Sequence, residues 1–346
     1  MIKFVFVFCV LFLNSCDNLD SILGNEDSDP QQNTSWVFVA NEGSYGSSNG
    51  SISMIDDFGN VFSTEFIGDI VQSIEVYGDK LIVLINNSHM IKVYNITSEG
   101  LSMPGIEVST NDSSPREMVV LNDKVYFTNW NSRDIKVFNL ITYQIEKNII
   151  LDGLPEDIVS DGNSLWVSIP NLNLHDQNLG SQVVEIDIDL FEVVDTFDVG
   201  LGPEHLNIFN NELYIARKNY SNDWYTAYYG TSKISENNDI TIMNYGQGLP
   251  CGGSILNHNN QIYRTYEGGV APLDQYLEIS ALDKLGDYSS LGIVYHAESI
   301  SGYVWLAITD YASFNEVRVI DLNGAEIASY EVGVSPGDFA KWPNID

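Results

Sequence analysis

From residue 36 onward the chain alternates short apolar runs with turn residues, and the same order of elements recurs seven times. Each unit has an apolar strand, a two-residue turn, and a second strand opened by a large residue. A variable loop, a third strand with apolar/polar alternation and a fourth strand complete it. The opening residues are Phe38, Ile82, Tyr126, Trp166, Tyr214, Tyr263 and Trp305, spaced by 44, 44, 40, 48, 49 and 42 positions. A period near 40–50 with several strands per unit is the signature of propeller blades. No stretch keeps a helical period over a dozen residues. The pattern therefore predicts an all-β fold, a β-propeller of seven blades.

Turn chemistry supports this reading. Gly78-Asp79, Asn122-Asp123, Asp161-Gly162, Asn210-Asn211, Asn259-Asn260 and Ser301-Gly302 precede the second strands, and such pairs tolerate the positive φ of tight hairpins. Third strands are expected at 52–55, 91–94, 135–138, 183–186, 277–280 and 317–320. In the fifth unit either 232–235 or 240–243 fills that place. Pro115, Pro155 and Pro203 announce first strands, where a missing amide hydrogen costs nothing. Pro336-Gly337-Asp338-Phe339 repeats that signal with no second strand after it, whereas Trp36–Asn41 is a second strand with no first strand before it. The N- and C-terminal strands are therefore expected to pair and close the ring, which removes open edges.

The first fifteen residues differ in kind. Lys3 precedes an apolar run from Phe4 to Leu13, which reads as an export signal and is too short to span a bilayer. Leu13-Asn14-Ser15-Cys16 resembles a bacterial lipobox, which implies acylation of Cys16 and anchoring to the outer membrane, on its periplasmic or surface side. Residues 16–35 read as an acidic tether and 36–346 as the propeller. With Cys9 lost and Cys16 acylated, Cys251 has no disulfide partner.

Trp36-Val37-Phe38-Val39-Ala40-Asn41, Val125-Tyr126-Phe127-Thr128-Asn129 and Ile135-Lys136-Val137-Phe138-Asn139 resemble the YVTN type of forty-residue propeller repeat. Joined to a lipobox, they resemble the surface cobalamin-capturing propellers of Bacteroidota. That resemblance implies nutrient capture by a lipid-anchored envelope protein.

A net charge of −33, with 15 Lys and Arg against 48 Asp and Glu, repels phosphates and argues against nucleic acid. It suits cationic ligands or divalent cations such as Ca²⁺. In a four-stranded blade the second-to-third loops share one face with the blade-to-blade junctions. The long loops are expected at 42–49, 171–180, 218–230, 268–275 and 310–315, and long insertions on one face mark a binding face. The junctions place Glu117, Asp157, His205, His296 and Asp338 around the channel mouth, with Arg116, Glu156 and Glu204 one step before. Tyr45, Trp130, Tyr220, Trp224, Tyr225, Tyr228, Tyr229 and Tyr311 decorate the same face and suit stacking on a flat ligand or a protein partner. Cys251 falls between the junctions of His205 and His296, where a Cys–His arrangement is conceivable; His89, His175 and His258 have no assignable role.

No nucleophile elbow, zinc signature or phosphate loop is present. The expected function is a non-catalytic ligand- or protein-binding module. The alternative is a metal-dependent propeller enzyme of lactonase or lyase type that uses the acidic rim.

Overall fold

Along Trp36–Asn41 every residue is buried, yet successive side chains serve different partners. Phe38 and Ala40 pack against Leu81, Val83 and Ile85 of the next blade, while Val37 and Val39, with Phe339 of their own blade, pack against Ala307 and Val317 of the preceding one. A strand buried on both faces reads as a continuous apolar run, and its period-two geometry sends alternate residues to opposite neighbours. The same division recurs around the molecule. Seven apolar clusters fill the seven blade–blade interfaces. Each fully buried Leu, Ile or Phe contributes about 1.5–3 kcal/mol relative to exposure.

The computed structural model describes residues 35–174, 178–248, 253–312 and 315–343. Its strands form seven antiparallel sheets, six with four strands and one with three, as expected for a seven-bladed β-propeller. The ring closes as the sequence predicts: Pro336–Trp342 pairs with Trp36–Asn41, with Trp36 opposite Trp342 and Val39 opposite Phe339. The first blade is thus assembled from both ends of the chain.

The tight turns take the conformation their residues favour. Asn122-Asp123, Asn210-Asn211, Asn259-Asn260 and Ser301-Gly302 all carry positive φ at both positions, the geometry that matches strand twist in two-residue hairpins.

One alternative is settled and three expectations need revision. In the fifth blade the third strand is Ala227–Ile234 and the fourth is Ile240–Gln247, which resolves the ambiguity in favour of 232–235. In the sixth blade the third strand is Gly269–Pro272, not 277–280. Glu267 and Gly268 both have positive φ and close a hairpin where a long loop was expected. Asp274 Oδ1 then accepts from the amides of Tyr276 and Glu278, both at 2.8 Å, which bends the apolar/polar stretch away from a strand. No regular fourth strand follows in this blade; Leu285 instead exchanges both backbone hydrogen bonds with Val270. The expected loop at 218–230 is largely a strand extension, since Lys218, Asn219 and Tyr220 pair with Tyr229, Tyr228 and Ala227. Only Ser221–Thr226 forms its tip.

Candidate functional site: the channel mouth

The first strand of each blade lines the axis, and its register sets a ring. One residue before the paired Ile74, Met118, Ile158, Leu206, Ile255, Ala297 and Phe339 stand Ser73, Glu117, Asp157, His205, Ser254, His296 and Asp338. Each blade supplies one of these residues, and all seven line a basin of about 650 Å³. One step nearer the mouth lie Gln72, Arg116, Glu156, Glu204 and Tyr295, with Glu42 entering from the end of its own second strand. Two residues deeper on the same strands, on the same side by strand period, lie Glu75, Asn207 and Glu298. The basin opens on the face carrying the second-to-third loops, because Trp130, Asn171 and Lys218 at the ends of second strands form its rim.

The expected Arg116, Glu117, Asp157, His205, His296, Asp338 and Trp130 are therefore brought together. Tyr220, Trp224, Tyr225, Tyr228 and Tyr311 do not line the basin. Tyr220 and Trp224 pack on each other at 5.9 Å between ring centroids, and Trp224 and Tyr225 are 54% and 91% exposed at the hairpin tip. Tyr311 reaches the basin only through an edge contact with Tyr295 at 5.7 Å. Cys16, Cys251 and His175 lie outside the described residues. His89 Nδ1 accepts from Ser114 N at 3.1 Å, and the buried His258 meets Ser299 at 2.9 Å.

Several ring residues also fasten one blade to the next. Asp338 Oδ2 accepts from Ile74 N at 2.7 Å, Asp157 Oδ2 from Leu206 N at 2.6 Å, His205 Nδ1 from Ile255 N at 3.3 Å, and Ser254 Oγ from Ala297 N at 2.9 Å. Below them Glu75 Oε1 accepts from Val120 N at 3.2 Å. Buried amides at the edges of first strands would otherwise lack partners, so short polar side chains at this register complete the sheets.

Eight carboxyl groups line the basin against two side chains of fixed positive charge, Arg116 and Lys218. Both cations are committed at the rim. Arg116 Nε donates to both oxygens of Glu156 at 3.1 and 3.2 Å, and its guanidinium lies 4.2 Å from the centre of the Trp130 ring. Lys218 pairs with Glu204 at 2.9 Å. Glu42, Glu75, Glu117 and Asp338, by contrast, resist ionisation. Burial pushes Glu42 up to about 7 against the opposing hydrogen bond from the Tyr295 hydroxyl. Burial likewise pushes Glu75 to about 8 and Asp338 to about 7. Glu117 is raised well above the carboxylate range by burial and then by the facing Asp338 and Asp157 carboxylates. Burial also keeps His296 neutral, pushing it down to about 3. The arrangement favours a guest that brings positive charge or hydrogen-bond donors into the axis.

The sequence reading missed Gln72, Ser73, Ser254 and Tyr295, which hold the ring register without charge, and Glu42, which comes from a second strand. Glu75 and Glu298 were findable by stepping two residues along strands already assigned.

Fold and site together define a β-propeller with a polar axial basin. No protein-family model and no curated protein matches the sequence. Among solved structures, a protein from Lactobacillus plantarum superposes with a TM-score of 0.64 at 12% identity, over 89% of this chain and 99% of that one. Apo AztD from Citrobacter koseri gives 0.55 at 12% identity, over 89% and 98%. BamB from Moraxella catarrhalis gives 0.55 at 12% identity, over 87% and 84%. At this identity the likeness shows the fold alone. Among the described residues no helix is long and apolar enough to cross a membrane.

Proposed function

We propose that this chain is an exported, lipid-anchored binding propeller that captures a small ligand in its axial basin without transforming it. The observation that carries this reading is the basin itself: about 650 Å³, lined by residues from every blade, with eight carboxyls against two cations and an aromatic wall at Trp130. Such a volume suits a small molecule, and convergent polar groups would fix its orientation. Nucleophilic catalysis by Ser254 is disfavoured by its surroundings. Ser254 faces His296, but at 3.5 Å, with its Oγ already accepting from Ala297 N and only 2% of the residue exposed. A nucleophile needs both a close base and access to substrate.

Anchoring at Cys16 fits the geometry of the entry point. Ser35 N donates to Asp57 Oδ2 at 2.7 Å, beside the turn that follows the third strand and so on the face opposite the basin. The described chain thus enters the propeller away from the mouth of the basin. The similarity to YVTN-type propellers puts cobalamins among the ligands to test.

A thermal-shift panel of amines, metal ions, sugars and cobalamins is the direct experiment, followed by calorimetry on any hit. A hit whose affinity falls in Trp130→Ala supports the basin; one indifferent to every basin substitution moves the site elsewhere. Cys16→Ser should shift the protein from membrane to soluble fraction, because the acyl chains supply the attachment; unchanged membrane association removes the anchor from the proposal.

A further inference from the structure

One wall of the basin has a more specific character than its acidity. His296, Glu298 and Asp338 each present one donor atom, and the three atoms lie within 4.8 Å of one another. His296 and Glu298 alternate on one first strand, so both face the axis, and Asp338 joins them from the adjacent blade. His296 Nε2 and Asp338 Oδ1 stand 3.9 Å apart. That separation is too long for a hydrogen bond and close to what two ligands of one ion require.

We propose that this triad is a binding site for a divalent transition metal of the zinc class. Imidazole with two carboxylates is a nitrogen–oxygen donor set suited to such an ion, whereas Ca²⁺ takes oxygen ligands. The charges of the two carboxylates balance that of the ion. Two of the three ligands are also held from behind. Asp338 Oδ2 is fixed by Ile74 N at 2.7 Å and Oδ1 by Phe339 N at 2.8 Å, and Oδ1, which keeps a second lone pair, is the oxygen nearer His296. His296 Nδ1 lies 3.5 Å from Ser254 Oγ, so a proton on Nδ1 leaves the Nε2 lone pair free for an ion. Outer partners of this kind orient metal-binding residues in general. His205 is excluded as a ligand although its ring lies 5.8 Å from that of His296. Its Nδ1 accepts from Ile255 N, which places its proton on Nε2 and makes it a donor towards the basin. Three protein ligands leave a fourth position open to the basin, where an incoming ligand could complete the shell.

This inference rests on the basin being a binding site, and the test separates the two. The full-length chain carrying Cys16→Ser is stripped with EDTA and titrated with Zn²⁺ by calorimetry and with Co²⁺ by visible absorption. One equivalent of Zn²⁺ should bind, Co²⁺ should give the d–d bands of a four-coordinate site, and millimolar Ca²⁺ should not compete. His296→Gln and Glu298→Gln should each weaken Zn²⁺ binding at least tenfold while the metal-free melting temperature stays within a few degrees. Absence of stoichiometric Zn²⁺ binding, or binding equal to wild type in both variants, overturns the metal site. The same stripped protein, put through the ligand panel, tests the basin independently: a ligand bound without metal leaves the basin intact and the metal claim to its own data.

Discussion

The Oδ2 atom of Asp157 accepts a hydrogen bond from the amide of Leu206 at 2.6 Å, across the boundary between the fourth and fifth blades. Its Oδ1 accepts from Ile158 N at 2.8 Å within its own strand. A residue that reads in sequence as a rim acid is thus also a clasp. Asp157→Ala should cost about 1–3 kcal/mol by leaving buried amides unpaired. Asp157→Asn keeps a carbonyl acceptor and should cost less. Chemical denaturation of the two variants checks this; equal losses would show that the clasp contributes nothing beyond the charge.

Stability should fall as pH rises from about 6.5 to 8. Glu75 and Glu42 keep their protons in the folded chain up to about pH 8 and 7, but release them near 4.5 when unfolded. The folded state therefore holds more protons between those limits, and stability drops as pH rises through them. His296 acts oppositely, since its folded value of about 3 lies below 6.5, but its contribution is complete above pH 6.5. Melting curves in EDTA at pH 6.5, 7.25 and 8 measure the slope. Glu75→Gln, which still offers Val120 N an acceptor, should flatten it.

The ring closure, the blade count and six of the seven third strands, the fifth as one of two alternatives, were legible because two-sided burial writes itself as apolar runs flanked by turn pairs. The sixth blade was not. The segment from Leu273 to Leu285 has strand-like alternation, and only the side chain of Asp274 capping two amides turns it aside. The charged ring members were legible from their offset to the first strands. Their pairing was not, because whether Glu117 faces Asp338 or a cation depends on curvature accumulated over seven blades. The distance of the aromatic residues from the axis was not legible for a related reason: Tyr220 and Tyr228 sit on a paired strand extension that lifts Trp224 and Tyr225 away from it.

Deleting residues 336–346 should abolish soluble monomer. The deletion exposes the backbone edge of Trp36–Asn41, removes Phe339 from the interface between the seventh and first blades, and takes away the Asp338 acceptor of Ile74 N. An unpaired central strand in an apolar setting templates aggregation. Size-exclusion chromatography of the truncated chain gives the answer, and a monomer with the wild-type melting temperature would show that closure is dispensable.

Glu117 offers the cleanest probe of the guest. Its carboxyl takes a hydrogen bond from the Gln72 side chain at 3.2 Å and, unlike Asp157 and Asp338, has no backbone amide of a neighbouring blade among its partners. Glu117→Gln should accordingly fold with near-normal stability. Burial, and then the facing Asp338 and Asp157 carboxylates, raise the pKa of Glu117 well above the ordinary glutamate value. A ligand that brings a positive charge would favour the ionised form and expel the carboxyl proton. Binding of such a ligand should therefore tighten with rising pH and release protons, measurable as a dependence of binding enthalpy on buffer ionisation. Glu117→Gln should remove the proton release and weaken binding by about 1.5–3 kcal/mol, the worth of a charge-assisted hydrogen bond, or roughly ten- to a hundredfold. Trp224→Ala, at the exposed hairpin tip, should leave the affinity for a small ligand unchanged. If Trp224→Ala weakens a ligand that Glu117→Gln binds normally, the guest sits on the aromatic hairpin and the axial basin is not its site.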